Sequence, residues 1–403
     1  MSVGVNLYPW DVVGDPEAAP LVASLGADQV TLAAAYHATR ALTPRHPGHR
    51  VVLAPDAAVY YPPGGQRWRG RRLRPAPAGW MPTPDSFTAA ATQLRACGLA
   101  VNAWAVLLHN SRLGAANPDL TVVNAYGDHY PWALCPAQAE VREYAACLSA
   151  EVAALPQVDA IELEACGWYG FDHLSSHDKT GGVRLSGQAR YLFSLCFCPA
   201  CARAYAAAGI DAGRLRDLVQ AALDPVFAGT APTVEGAGQP VAGQTDWVTS
   251  ALGTELAAHV LATRSVLASV LRAEVIAAVR AASPGLPVLL HGHPDPRRCD
   301  ASPGADPAAV LEVADGLVVP CRGTPADAAE TVGRTAAAAK PGHRIAASLV
   351  AVSAMGGHPD LASLATRVLA AGATELRLYH AGLASATDLA AMRSVTAALK
   401  TLR

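Results

Sequence analysis

Three cysteines lie close together in residues 196–201, which read CFCPAC. Thiolates at this spacing can turn toward a single tetrahedral Zn²⁺, so Cys196, Cys198 and Cys201 are predicted metal ligands. A fourth ligand must come from elsewhere, and Cys135, in the segment WALCPAQAEVREY, is the candidate. Four thiolates leave no open position for water, so the predicted zinc is structural. The alternative is that these cysteines are buried free thiols, which pack as small hydrophobic side chains.

Two carboxylates stand two positions apart in the segment DAIELEACGW. Strand alternation directs Glu162 and Glu164 to the same face. Like charges in a poorly hydrated site raise the pKa of one carboxyl group, which gives the proton donor that general acid catalysis needs. Glu164 is nearer the strand end and is the first predicted catalytic residue, with Glu162 beside it. The alternative is a structural acid pair neutralised by Arg or Lys.

A second carboxylate is predicted to act with Glu164. In a hydrolysis such a carboxylate acts as the base that activates water while the acid donates its proton. The segment GFDHLSSHDK, which follows the paired acids, contains Asp172 and Asp178, and Asp295 follows a later apolar run. The sequence does not rank these three candidates.

Polar and aromatic side chains follow many of the apolar runs. Several strand ends that meet at one rim favour a polar pocket, and tryptophans there can stack on sugar faces. The predicted substrate-binding residues are Trp10, His37, Trp104, His109, Asn110, His177, His291, Tyr379 and His380.

The secondary structure must position these side chains at one site. The chain alternates short apolar runs with Ala-rich helical stretches throughout. Alternation of this kind is typical of parallel strands joined by crossover helices. Eight such repeats predict a single α/β domain over residues 1–403, a TIM (β/α)8 barrel, with a doubly wound open sheet as the alternative. Residues 37–81 are predicted to form a loop and hairpin insertion after strand 2, and residues 166–285 a zinc-bearing, helical insertion after strand 4. The predicted strands are 3–8, 29–35, 100–108, 160–164, 287–291, 316–320, 344–350 and 375–380.

The overall composition narrows the class of partner. The 31 basic and 33 acidic residues leave a formal charge of -2, which provides no electrostatic surface for a nucleic acid backbone. The chain has neither a signal-peptide pattern at its start nor a long uncharged apolar stretch, so no membrane contact is predicted. Cysteines without a secretory signal favour a reducing compartment, and the expected location is cytoplasmic. A small, uncharged partner is therefore favoured.

The upstream Cys-Pro, the Glu that closes strand 4 and the Cys-x-Cys-x-x-Cys segment together resemble the zinc-binding barrel of the family 42 glycoside hydrolases, the microbial β-galactosidases. The likeness covers roughly residues 100–205. It implies that the four cysteines hold a structural zinc, that Glu164 is the general acid/base and that the protein is an oligomer. Two features depart from that family: Leu163 stands where it has Asn, and residues 344–358 contain no carboxylate for the strand-7 nucleophile.

Three functions follow from these observations. The first is a glycoside hydrolase that uses Glu164 as acid on a small glycoside. The second is a metal-dependent sugar isomerase, epimerase or lyase, in which His109, His291 or His380 joins Glu164 around a divalent ion. The third is a sugar-binding barrel without catalysis. A removable second metal would indicate the isomerase class, and ligand binding without turnover would indicate the binding protein.

Overall fold

The computed structural model describes residues 1–172, 178–230 and 246–400 of the chain. His173 and the predicted substrate-binding residue His177 lie outside the described residues. Within the described part, no helix has the length and apolar character needed to cross a membrane.

The strands divide into a large sheet and two small hairpins. Their bounds are β1 Ser2–Leu7, β2 Gln29–Tyr36, β3 Thr39–Leu42, β4 Val51–Ala54, β5 Ala58–Val59, β6 Ala100–Val106, β7 Thr121–Val123, β8 His129–Leu134, β9 Ala160–Glu164, β10 Val288–His291, β11 Gly316–Cys321, β12 Arg344–Val350 and β13 Glu375–Tyr379.

Eight of these strands form a closed parallel barrel in the order β1, β2, β6, β9, β10, β11, β12 and β13. The barrel closes because β1 pairs with both β2 and β13: Val5 lies opposite Val30 on one side and Leu378 on the other. The predicted TIM barrel is therefore confirmed, and the open sheet is excluded. The carboxyl ends of parallel strands share one rim, so the polar strand-end residues face a common mouth.

Helices surround the barrel and fill the second insertion. Their bounds are α1 Pro9–Val12, α2 Ala18–Ser24, α3 Ser86–Ala96, α4 Ser111–Ala116, α5 Ala139–Ala153, α6 Gly187–Phe193, α7 Pro199–Ala207, α8 Ala212–Phe227, α9 Trp247–Leu252, α10 Thr254–Ala282, α11 Pro307–Leu311, α12 Pro325–Ala336, α13 Leu361–Ala370 and α14 Ala386–Lys400. Short 3₁₀ turns occur at Pro118–Leu120, Thr180–Gly182, Ser353–Met355 and Ala381–Leu383.

The main core lies between the strands and the helix layer. In α5 the buried residues Val141, Ala145 and Leu148 recur at the spacing of one helix face. The helix also packs against α10, which buries Leu271 and Val275. The predicted second insertion thus ends in a helix of the barrel's outer layer.

The first insertion contains the expected hairpin, in which β3 pairs with β4. The part of this insertion that follows the hairpin is hydrogen-bonded to the buried side chain of Glu151, in α5 of the outer helix layer. The carboxylate accepts hydrogen bonds from the Tyr61 hydroxyl at 3.0 Å, the Gly64 amide at 2.7 Å and the Trp68 indole at 2.9 Å. A buried carboxylate is tolerated there because donors satisfy both of its oxygens.

Candidate active site and metal centre

The four predicted cysteine ligands come together. The Cys135 sulfur lies 3.5 Å from that of Cys201 and 3.7 Å from those of Cys196 and Cys198, and all four side chains are buried. Zn–S bonds of about 2.3 Å around a tetrahedral ion require sulfur pairs about 3.8 Å apart. The cluster therefore has the composition and size to hold a metal ion.

Two parts of the fold supply these sulfurs. Cys135 directly follows β8, in a hairpin of β7 and β8 that the sequence did not predict. Cys198 is the N-cap of α7, and Cys201 lies in the first turn of that helix. The sulfurs also accept weak hydrogen bonds, from the Val123 amide to Cys196 at 3.4 Å and from the Gln138 side chain to Cys198 at 3.6 Å. A metal here would join the segment after β6 to the insertion after β9.

Glu162 lies deep in the barrel and is completely buried. One of its oxygens accepts hydrogen bonds from Arg377 Nε at 2.8 Å, Thr31 at 2.9 Å and Asn102 at 3.1 Å. Burial raises the pKa of Glu162, but Arg377 and then His291 more than offset this, and its pKa lies well below the ordinary value. Glu162 is therefore an ionised carboxylate held by an arginine.

Further pairs of oppositely charged side chains lie below Glu162 in the barrel. Arg377 Nη1 lies 2.9 Å from Glu375, and Arg344 Nη2 donates to the same carboxylate at 3.0 Å. Two acids and two arginines thus neutralise one another in the lower barrel. This is the alternative that the sequence left open for the acid pair, and it applies to Glu162.

Glu164 lies at the mouth with different neighbours. Trp104 Nε1 donates a hydrogen bond to Glu164 Oε2 at 2.9 Å, and His291 Nδ1 lies 3.9 Å from the same oxygen. Burial is the largest influence and raises the pKa of Glu164; His291 and Trp104 act in the opposite direction, and Asp300 raises it further. The spacing of the two glutamates predicted that repulsion between them raises the pKa of one. That cause is wrong, because Arg377 compensates the charge of Glu162.

An aromatic and hydroxyl wall stands beside Glu164. The Tyr8 hydroxyl donates to that of Tyr36 at 3.0 Å and lies 3.3 Å from His380 Nε2, while the hydroxyls of Tyr36 and Tyr379 are 3.5 Å apart. Tyr8 and Tyr36 also pack on the Trp104 ring, with centroids 5.9 Å and 4.8 Å away. The wall therefore provides both flat ring surfaces and hydrogen-bonding oxygens.

The ring contacts continue along the rim. Tyr36 stacks on His37 at 4.2 Å, His37 packs against His109 at 4.4 Å, and His109 stacks on Tyr169 at 4.5 Å. Tyr169 lies near enough to Glu164 for that carboxylate to raise its pKa, after burial as the larger cause. The predicted residues His37 and His109 thus belong to a continuous row of stacked rings along the rim of the barrel.

Other predicted residues have structural contacts. Trp10 is almost wholly buried behind Tyr8, stacked on it at 4.1 Å, so it has no exposed face for a sugar. Asn110 caps α4 by accepting the Leu113 amide at 3.0 Å. For these two residues packing and capping explain the side chain.

The three carboxylates predicted to act with Glu164 have different surroundings. Asp172 forms an ion pair with Arg190, and Asp178 lies on an exposed turn. Asp295 accepts the Arg297 amide of its own turn at 3.0 Å. Asp300 is a fourth acid that was not predicted from the sequence, and its charge acts on Glu164.

Four functional candidates were missed altogether: Tyr36, Tyr169, Asp300 and Arg322. Tyr36 ends β2, one residue after the predicted strand end. A search for polar residues directly after strands would have found Tyr36 and also Arg322, which follows β11.

The histidines proposed for a second metal do not gather around one ion. Among the described residues, the only group of three or more His, Cys, Asp or Glu side chains placed to hold a metal is the four-cysteine cluster. His380 instead contacts Tyr8, and His291 lies between Glu162 and Glu164. The geometry of the mouth therefore does not favour the metal-dependent isomerase.

Searches of protein-family models and of curated proteins found no match to the chain. Solved structures do match it. α-L-Fucosidase isoenzyme 2 from Paenibacillus thiaminolyticus has a TM-score of 0.59 at 13% identity, and the match covers 99% of this chain and 49% of that one. A GH42 β-galactosidase from G. stearothermophilus has a TM-score of 0.56 at 12% identity, covering 100% of this chain and 57% of that one.

The glycoside hydrolase domain of PgaB (BpsB) from Bordetella bronchiseptica is similar in length as well. Its TM-score is 0.56 at 16% identity, and the match covers 98% of this chain and 99% of that domain. By contrast, this chain spans about half the length of the fucosidase. At these identities the likeness shows the fold: a barrel of the kind found in glycoside hydrolases.

Proposed function

We propose that the protein is a carbohydrate-active enzyme of the glycoside hydrolase type, with Glu164 as the general acid on a small glycoside. The observation that carries the proposal is the setting of Glu164. It is a buried carboxyl group at the mouth of the barrel, its pKa is raised, and it contacts Trp104 and His291 rather than the arginine that holds Glu162. Glycosidase-like barrels among the structural neighbours support the same substrate class.

The surrounding side chains have distinct roles in this proposal. Protonated Glu164 donates its proton to the oxygen of the departing group. The Trp104 indole N–H orients the carboxyl group through Oε2. Tyr379, which is partly exposed, binds the sugar through its ring face and hydroxyl, because a pyranose presents both apolar and hydrogen-bonding surfaces. The buried Tyr36, which accepts a hydrogen bond from Tyr8, lies against the Tyr379 hydroxyl and positions it.

Turnover of aryl glycosides tests this role. A panel of p-nitrophenyl glycosides identifies a substrate, and Glu164→Gln then removes the proton donor while preserving the shape of the side chain. On an alkyl glycoside of the same sugar, whose leaving oxygen needs a proton as p-nitrophenolate does not, we expect kcat to fall about 10²–10⁴-fold, the usual contribution of acid–base catalysis. Glu330→Gln, on the exposed face of α12, is the matched control and should retain full activity.

Two outcomes would contradict the proposal. Full activity of Glu164→Gln on the alkyl glycoside would exclude the carboxyl as the acid. Calorimetric binding of a sugar, with no turnover of any glycoside by the parent protein, would indicate the non-catalytic binding barrel.

We further propose that the four-cysteine cluster holds a structural Zn²⁺. The sulfur spacing supports this, and thiolate ligands favour zinc among common divalent ions. Elemental analysis of purified protein should find about one zinc per chain. Cys201→Ser should lower both the zinc content and Tm, whereas Cys97→Ser, outside the cluster, should change neither the zinc content nor the glycosidase activity. The assignment would be contradicted if the parent protein contained no zinc and Cys201→Ser left its Tm unchanged.

A further inference from the structure

The loop after β10 lies directly against the end of β9. The Ala165 amide donates to the Ala301 carbonyl at 2.9 Å, and the Gly170 amide donates to the Cys299 carbonyl at 3.0 Å. Asp300 stands between these two anchor points. The residue immediately after Glu164 is therefore joined by a backbone hydrogen bond to the residue immediately after Asp300.

The loop also has an internal support that holds this position. The Gly304 amide donates to the Arg298 carbonyl at 2.9 Å, and the His293 amide donates to the Pro303 carbonyl at 3.2 Å. A Cβ atom at Gly304 would lie 2.2 Å from the Asp295 carbonyl oxygen, so the loop closes on itself too tightly for a side chain there. These contacts fix the backbone of Asp300 next to the end of β9.

We propose that Asp300 is the second carboxylate of the site, the base that activates water for attack on the anomeric carbon. The inference deepens the proposed function, because it depends on Glu164 being the acid. Asp295, Asp172 and Asp178 were the candidates from sequence, and the structure favours Asp300 because its loop is hydrogen-bonded to the strand end that carries the acid.

Two hydrogen-bond donors contact the Asp300 carboxylate. One oxygen accepts the Ser302 amide at 2.9 Å, and the other accepts Arg298 Nη2 at 2.6 Å. Burial outweighs these contacts and raises the pKa of Asp300 above its ordinary value, although Arg298, the Ser302 amide and Arg322 act in the opposite direction. Glu164, by contrast, receives one indole N–H, so Asp300 has more donors to stabilise the anion that a base needs, and Glu164 has fewer, as suits an acid.

The Asp300 side chain is 22% exposed, so water reaches it. In the proposed step Asp300 removes a proton from water as the water oxygen bonds to the anomeric carbon. The bond between that carbon and the leaving oxygen breaks, and the leaving oxygen takes the proton of Glu164. Exchange with solvent then returns Asp300 to the anion and Glu164 to the acid, with inversion at the anomeric carbon.

Asp300→Asn tests this assignment on an aryl glycoside that the parent protein hydrolyses. We expect kcat to fall about 10²–10⁴-fold with little change in KM, because the base acts in the transition state. Asp295→Asn lies in the same loop and should retain activity. Proton NMR of the first product formed should show the inverted anomer.

A titration separates catalysis from proximity. In protein labelled with ¹³C at glutamate carboxyl carbons, Asp300→Asn should lower the pKa of Glu164, because a nearby negative charge is removed. Asp295→Asn should leave that pKa unchanged.

The outcomes distinguish the two proposals. The role of Asp300 is overturned if Asp300→Asn stays active, if the pKa of Glu164 does not change, or if the product retains its configuration. Each of these results leaves Glu164 as the acid. A parent protein that hydrolyses no glycoside overturns the proposed function, and the role of Asp300 with it.

Discussion

The lower barrel and the mouth each bury a glutamate from the same face of β9, but the pKa values of the two glutamates are shifted in opposite directions. Glu162 meets Arg377, Thr31 and Asn102, and it remains ionised. Glu164, two residues further on, meets an indole N–H and an imidazole, and burial raises its pKa. The comparison shows that a strand can carry a structural acid and a candidate catalytic acid side by side, and that the partners decide which is which.

Breaking the lower pairing should have the largest effect. Arg377→Met leaves Glu162 and Glu375 facing each other in a dry interior without their shared cation. We expect the free energy of unfolding to fall by about 3–5 kcal/mol, the usual cost of breaking a buried pair by removing one partner. Urea denaturation monitored by circular dichroism measures it.

The control is Arg322→Met, an arginine that is exposed at the mouth. It should change the free energy of unfolding by well under 1 kcal/mol, as most surface substitutions do. The double variant Arg377→Met with Glu162→Gln should recover part of the lost stability. Equal effects of the two arginine substitutions would show that the lower pairing is not what stabilises the barrel.

Much of the fold was predictable because it rests on local patterns. The bounds of β9 and β12 agree with the sequence prediction residue for residue. In β9 the apolar Ile161 and Leu163 alternate with the two glutamates, which is the two-residue period of a strand. Gly98, Gly285 and Gly372 have positive φ angles of 80°, 82° and 109°, as expected for residues that end helices. The hairpin of β7 and β8 was missed because β7 contains only three residues and has too short an apolar pattern.

The site was predictable only in part. The cysteine spacing indicated the metal cluster, and strand alternation placed both glutamates in the barrel. However, Arg377 approaches Glu162 from 215 residues away, and alternation does not predict which partner meets a carboxylate. Asp300 was missed for a related reason: hydrogen bonds between two loops position it, and such contacts leave no periodic pattern in the sequence.

A smaller effect, the pH dependence of stability, sharpens the comparison. Glu164 has a raised pKa in the folded protein, so the folded state binds its proton more tightly than the unfolded chain does. Its contribution is favourable below the ordinary glutamate pKa of about 4.3 and is lost as the pH rises through the folded value. Glu162 has a lowered pKa, so its contribution is present above that ordinary value and is lost as the pH falls.

The two glutamine variants should therefore respond to pH with opposite signs. Relative to the parent protein, Glu164→Gln should be more stable at neutral pH and lose that advantage toward pH of about 4, where the parent carboxyl is protonated in both states. Glu162→Gln should be less stable at neutral pH, and its deficit should shrink on acidification. Urea unfolding of all three proteins across this pH range measures the difference, and parallel curves for the two variants would show that β9 carries two equivalent acids.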